Sequence, residues 1–298
     1  MDRERPPNIR AVPVRHPGRW LAAALVAYLA IFTTYVIATN PNFEWRAQFH
    51  YAFSTSILEG VRSTLVMTFA SMAIGIIGGV VLAVMRLSAN PILSRGAWLF
   101  IWVFRSTPVL VQLLVWTYLG SLFPTLGLGI PFGPSFARWE TNQLIPALVA
   151  ALLGLGLNEA AYMAEIVRAG IVSVDHGQIE AAGALGLSRL QTMRLVVLPQ
   201  AMRVIIPPTG NETISMLKTT SLISVVPYYE LLYATRAIYA NTYQVIPLLL
   251  MASLWYAVMS SVLMVGQYYI ERHYSRGFAA STTGVDRRRM LQFGGRQR

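Results

Sequence analysis

DHGQIEAAGALGLSRLQTMRLVVLP, residues 175–199, is the longest polar, small-residue stretch between strongly apolar runs. Gln178 to Leu185 suits a helix, because Glu, Ala and Leu are good helix formers. Gly186 can take the left-handed conformation that ends a helix, which costs most other residues energy. Ser188, with Gln191 three residues on, has the form of a capping box that starts a second helix. Pro199 has no N–H to donate inside a helix, so it marks a stop or a kink. The stretch predicts two short helices joined by a tight turn. In an apolar chain such a hairpin sits in water or against another protein, and it is read as a docking surface.

The surrounding sequence is that of a polytopic membrane protein. Of 298 residues, 55% are hydrophobic and 12% charged, against about 25% charged in a soluble domain. Mean hydropathy is +0.50. The chain has no cysteine, so a disulfide framework and a thiolate metal site are both excluded.

Outward from the hairpin, six apolar spans are predicted. Trp20 to Ala38 is an uncharged run of about the length that crosses a bilayer. It is longer than the apolar region of a signal peptide and no A-x-A cleavage site follows, so it reads as a retained helix. Residues 40–59, with Phe43, Trp45, Phe49, Tyr51 and Phe53, read as an interfacial segment. Val61 to Met85 follows, with Gly75 and Gly79 at a spacing that permits close helix packing. Ala97 to Leu122 is interrupted early by Arg105-Ser106-Thr107-Pro108, and 123–141 is a Pro- and Gly-rich loop. Leu144 to Ile171 is the fourth span. Val204 to Leu217 is a fifth, broken at Pro207-Pro208 and Gly210. Residues 218–244 look interfacial or re-entrant, and Val245 to Ile270 is the sixth span. Residues 1–19 and the Arg-rich tail 272–298 carry no hydrophobic periodicity and read as disordered.

Placing the N-terminus inside puts 1–19, the 86–105 region, 168–203 and 271–298 on the cytoplasmic side. Those segments hold 19 of the 24 basic residues, all but Arg46, Arg62, Arg138, Lys218 and Arg236. This is the asymmetry of the positive-inside rule. It puts both termini and the hairpin in the cytoplasm of a cell-membrane protein, and it accounts for the net charge of +11 without nucleic acid.

The hairpin also fits a family pattern, EAA-x3-G-x9-I-x-LP. Here it reads Glu180-Ala181-Ala182, Gly186, Val196 in the isoleucine position, and Leu198-Pro199. It resembles the permeases of binding-protein-dependent ABC importers. FRSTPVLVQ (104–112), AYMAEIVRAGI (161–171), GQIEAAGALGLSRLQT (177–192), LPQAMRVIIPPTGNE (198–212) and LKTTSL (217–222) narrow the resemblance to the polar amino acid, histidine/glutamine-type family. Ser106 departs from the family's usual glycine, and Thr220 from its frequent Asp or Asn.

The resemblance implies an all-α, type I ABC importer permease fold. Its five-helix core covers residues 56–271, with one extra N-terminal transmembrane helix at 20–39. It further implies a second permease subunit, identical or paralogous, a dimer of ATPase subunits and an extracytoplasmic binding protein. Glu180, Ala181, Ala182 and Gly186 would form the coupling helix on the ATPase. The chain lacks a phosphate loop, so ATP and Mg belong to that partner and no cofactor is expected here.

Ionisable groups inside a span generally face protein or a water-filled cavity. At about 100° per residue, Asn158, Tyr162 and Glu165 share one stripe of the fourth span, with Glu159 to one side. Asn158, Glu159 and Tyr162, with Asn211 and Glu212 after the paired prolines, are the candidate substrate pathway. Glu159 suits an ammonium, and the other two polar groups suit hydrogen bonds. Glu165 and Arg168 read as structural, pairing with each other or with neighbouring helices, and Arg105 as structural. Lys218 can pair with Glu212 or meet substrate. The four histidines are scattered and no nucleophile motif occurs, so the chain reads as a transport subunit rather than an enzyme. An ion-gradient-driven amino acid carrier is the alternative that Glu159 and Glu165 leave open.

Overall fold

A computed structural model describes residues 17–130 and 135–274. The arm and tail expected at the two ends lie largely outside them. Helix α1 (Pro17–Thr39) is exposed from Gly18 to Thr39, with Trp45 Nε1 donating to Ile37 O at 3.3 Å. A short helix α2 (Trp45–Ala52) follows, exposing Phe49 beside a buried Gln48. The chain then enters α3 (Thr55–Arg86), the longest helix.

Asn90 restarts the chain. Its side chain accepts from Ile92 N at 2.9 Å, and Pro91 occupies the first turn of α4 (Pro91–Ser106), where its missing N–H costs nothing. Thr107 is forced into extended backbone by the proline that follows. α4 therefore meets α5 (Val109–Thr117) at a bend of 102°. The Gln112 amide fastens this corner, donating to Phe104 O, Thr107 O and Thr107 Oγ1 at 2.9, 3.1 and 2.8 Å.

The segment expected as a loop at 123–141 contains an antiparallel ribbon of β1 (Thr125–Gly129) and β2 (Ser135–Glu140). It pairs Leu126 with Trp139 and Leu128 with Ala137. Gly127 and Gly129 hid it, because glycine weakens the strand pattern in a sequence.

Helix α6 (Ala147–Val172) is the central post of the fold. It packs on α3 at the distance that small residues allow. A Cβ on Gly75 would lie 2.3 Å from Glu159 Cγ, and one on Gly79 2.4 Å from Met163 Cβ. Gly156 of α6 receives Ile74 in the same way, at 2.7 Å. The Gly75/Gly79 spacing thus marks a close helix contact. Met67, Met72, Leu113, Leu155 and Met163 fill the core around it.

The hairpin follows as α7 (His176–Ala184) and a helical turn, Arg189–Thr192. At Pro199, where a stop or a kink is expected, the chain does not stop, and the break expected at Pro207-Pro208 is corrected. A π-helical segment, Met193–Val197, carries the turn directly into α8 (Leu198–Thr219), which runs unbroken through both prolines. Leu198 N reaches back to Met193 O, and this wider register accommodates Pro199 at the start of α8. Around the internal prolines, Thr209 Oγ1 donates to Ile205 O at 2.8 Å and Gln267 Nε2 to Pro207 O at 3.3 Å. Side chains from α8 itself and from the last helix thus contribute polar contacts where proline removes backbone donors.

After a 3₁₀ turn (Thr220–Val225), Glu230 caps α9 (Leu231–Thr242). α10 (Val245–Tyr274) completes the bundle and, with Ile57, Leu217 and Leu231, builds a second apolar cluster through Leu248 and Met251. Of the six expected spans, α1, α3, α6 and α10 are long and apolar enough to cross a membrane, and the bent α4–α5 pair makes a fifth. α8 is long enough but carries Arg203, Glu212 and Lys218, and it lies beyond that set.

Candidate functional site

Four of the five residues expected along the substrate pathway come together. Asn158, Glu159 and Tyr162 from α6 and Glu212 from α8 line a cleft of about 560 Å³ beside the α4–α5 corner. Ser106, Thr107, Ser215 and Thr219 add hydroxyls, and Leu155, Val109 and Met216 supply apolar wall. The bend at Pro108 is what creates this space, by turning α5 away from the path of α4.

Glu159 is 4% exposed, and its Oε1 is buried with no hydrogen-bond partner among the described residues. Its stem occupies the room left by Gly75. A buried carboxylate oxygen without a donor is costly and calls for a bound group to satisfy it. Asn158 also lines the cleft, but its amide donates to Phe104 O at 2.9 Å and to Gln112 Oε1 at 3.3 Å. That ties the corner to α6 and commits both contacts to the frame.

Asn211 is not in the cleft. It lies on another side of α8, where its Oδ1 accepts from Gln267 Nε2 at 3.0 Å; a one-residue step on a helix turns a side chain by about 100°. Arg105, expected as structural, lines the cleft and holds its guanidinium 5.1 Å from the centre of the Tyr162 ring. An arginine inside an apolar run, three residues before a proline, was the signal. Glu165 and Arg168 form the expected pair at 2.7 Å. No ion pair joins Lys218 to Glu212 among the described residues, and Lys218 is exposed. The cleft thus presents carboxylates on α6 and α8 and a guanidinium at the end of α4.

The hairpin forms a separate site. Asp175 caps α7 by accepting from Gly177 N at 2.7 Å. Gly186 has φ +78°, with its N–H 2.9 Å from Gly183 O and the Leu187 N–H 3.1 Å from Ala182 O. These are the two bonds of a Schellman terminus. Ser188 and Gln191 make the capping box reciprocally. Glu180 is exposed, 3.1 Å from His176 Nδ1, and Ala181 is exposed. Ala182, expected in the coupling helix with Glu180, Ala181 and Gly186, is 3% exposed and so has its side chain buried within this chain. Leu185 and Leu190, 81% and 77% exposed, present the apolar surface instead.

Glu230 escaped sequence analysis. It is fully buried, and its carboxylate accepts from Leu232 N at 2.9 Å, Tyr233 N at 2.6 Å and Tyr256 OH at 2.9 Å. Its place in a semi-polar segment gave no sign of burial.

Residues 75–276 match the family described as binding-protein-dependent transport system inner membrane component. The chain is 47% identical over 280 residues to the arginine transport system permease protein ArgU of Corynebacterium glutamicum, covering 93% of this chain and 87% of that protein. It is 38% identical to the histidine/lysine/arginine/ornithine transport system permease protein HisM of Escherichia coli K12, covering 69% and 83%. Among solved structures, an amino acid ABC transporter with histidines aligns with TM-score 0.63 and 33% identity, covering 73% of this chain and 94% of that one.

Proposed function

We propose how transport is carried out by this chain, which belongs to the binding-protein-dependent transport system inner membrane component family. It is a multi-pass membrane permease subunit of an amino acid ABC importer. Both termini and the α7 hairpin face the cytoplasm. The hairpin docks on a separate ATPase subunit that binds ATP and Mg, and a second permease subunit completes the pathway. An extracytoplasmic binding protein delivers the substrate.

The cleft is the substrate station, and its charges suit a cationic amino acid. Arg105 meets the α-carboxylate, while Glu159 and Glu212 meet the α-ammonium and a basic side chain. The substrates named for ArgU and HisM support that choice. The observation that carries the reading is the buried Glu159 carboxylate with an unpartnered oxygen, in a wall that also bears Arg105. Closure of the ATPase pair, passed through the hairpin and the continuous α8, moves the Glu212 wall against the α6 wall and opens the cleft to alternate sides.

Glu159→Gln tests the station in the assembled transporter reconstituted in proteoliposomes. A hydrogen bond to a charged group is worth about 1.5–3 kcal/mol, so substrate affinity should fall roughly 10- to 100-fold with ATPase assembly intact. Unchanged affinity and substrate preference would remove Glu159 from the site. An ion-gradient-driven carrier is not favoured, since the matching family is a binding-protein-dependent transport component and the solved structure it resembles at 33% identity is an amino acid ABC transporter.

A further inference from the structure

A second cavity, of about 540 Å³, lies between α3, α4 and α6 and shares Arg105, Ser106 and Tyr162 with the substrate cleft. It gathers Arg86, Arg105 and Arg168 from three different helices. Among the described residues that line it, Glu165 is the one acid and is already paired with Arg168 at 2.7 Å, so this lining carries a net excess of positive charge. Arg86 is the last residue of α3, with one N–H 3.0 Å from Ser94 Oγ. Arg168 lies within the last turns of α6. In the orientation proposed above, both are at the cytoplasmic surface of the bilayer.

The other wall is aromatic. Trp98 and Trp102 stack at 6.2 Å with their planes 12° apart, and both also line the cavity. They are 50% and 55% exposed, and the neighbouring Leu99 is 52% exposed, so the cavity opens onto an apolar flank of α4. A soluble substrate has no use for such a flank. A molecule with an anionic head and a hydrocarbon tail uses both parts. Basic pockets between transmembrane helices on the cytoplasmic side bind anionic headgroups, and the two indoles offer an apolar face to the chain attached to such a head.

We propose that this cavity binds the phosphate of an anionic phospholipid from the cytoplasmic leaflet, with its acyl chain along Trp98 and Trp102. Arg86 and Arg168 hold the phosphate from the two helix ends. Arg105 closes the inner end and links the lipid site to the substrate cleft, which it also lines. The proposal rests on the orientation given under the proposed function, but lipid retention is measured without transport, so the two readings fail separately.

The test uses the assembled transporter in nanodiscs and detergent, with phosphatidylglycerol as probe and phosphatidylcholine as reference. Native mass spectrometry should find phosphatidylglycerol retained in preference to phosphatidylcholine. Arg86→Gln keeps a donor for Ser94 and should weaken that retention about fivefold, the worth of one basic side chain near an anionic surface. Trp102→Leu leaves the charges in place and should shorten retention of the long-chain lipid more than of a short-chain analogue. Equal retention of the two lipids by the wild type would overturn the proposal. So would unchanged retention in Arg86→Gln, or displacement of the lipid by millimolar inorganic phosphate, which would mark a site for soluble phosphate.

Discussion

Replacing Gly186 by valine should disconnect the permease from its ATPase without removing it from the membrane. A Cβ built on Gly186 meets nothing within 4 Å, so packing does not oppose the change. The opposition is conformational. At φ +78° an L-residue pays about 1–2 kcal/mol, and a β-branched one pays at the upper end or beyond because that region is a true outlier for it. Relieving the strain breaks the two terminal hydrogen bonds to Ala182 O and Gly183 O. A penalty of about 2 kcal/mol shifts the ratio of formed to frayed turns by roughly 30-fold. Gly183→Ala is the matched control. It too meets nothing within 4 Å, but its φ is helical, and alanine gains up to about 1 kcal/mol there. Trypsin reads the turn directly, because Arg189 and Arg194 follow it. Cleavage at those sites in the purified protein should speed up by more than tenfold in Gly186→Val and stay at or below the wild-type rate in Gly183→Ala. Uptake into proteoliposomes should be lost in Gly186→Val at wild-type membrane abundance. Wild-type cleavage together with wild-type uptake in Gly186→Val would refute both the strain and the coupling role.

Three further outcomes are expected. Ser188→Ala removes the side-chain half of the capping box, costs about 1 kcal/mol, and should produce a milder version of the Gly186→Val phenotype in the same protease assay. Gly75→Val drives a side chain into the stem of Glu159; overpacking of this kind costs about 1–3 kcal/mol and should lower both the thermal midpoint in detergent and substrate affinity measured by calorimetry. Glu230→Ala strips the acceptor from two backbone N–H groups and the Tyr256 hydroxyl, and at about 1–3 kcal/mol for each buried donor left unsatisfied it should cut the yield of folded protein seen by size-exclusion chromatography.

The parts of the fold that a sequence states locally were legible. The Gly186 turn and the Ser188–Gln191 box are written in residues a few positions apart, and both form as read. The corner at Pro108 was legible for the same reason, since proline constrains its own neighbour. Pro207 and Pro208 misled because the contacts around them involve a partner far along the chain: Gln267 of α10 donates to Pro207 O. Periodicity along α6 found one wall of the cleft. It could not show that Arg105 of α4 would arrive over Tyr162, or that Asn211 would turn to Gln267 while its neighbour Glu212 faced the cavity. Those facts depend on how α4 and α10 pack, and packing is not local.

The unbroken helical path from Arg189 through the π turn to Thr219 puts Glu212 and the hairpin on one mechanical element. Two ligands that bias the same element obey reciprocity. By whatever factor seating the hairpin in a partner changes the grip of the cleft on its amino acid, a filled cleft changes the hairpin's affinity for that partner by the same factor. In the roles proposed above for cleft and hairpin, an empty permease and a loaded one would present the ATPase with binding constants that differ by that same factor.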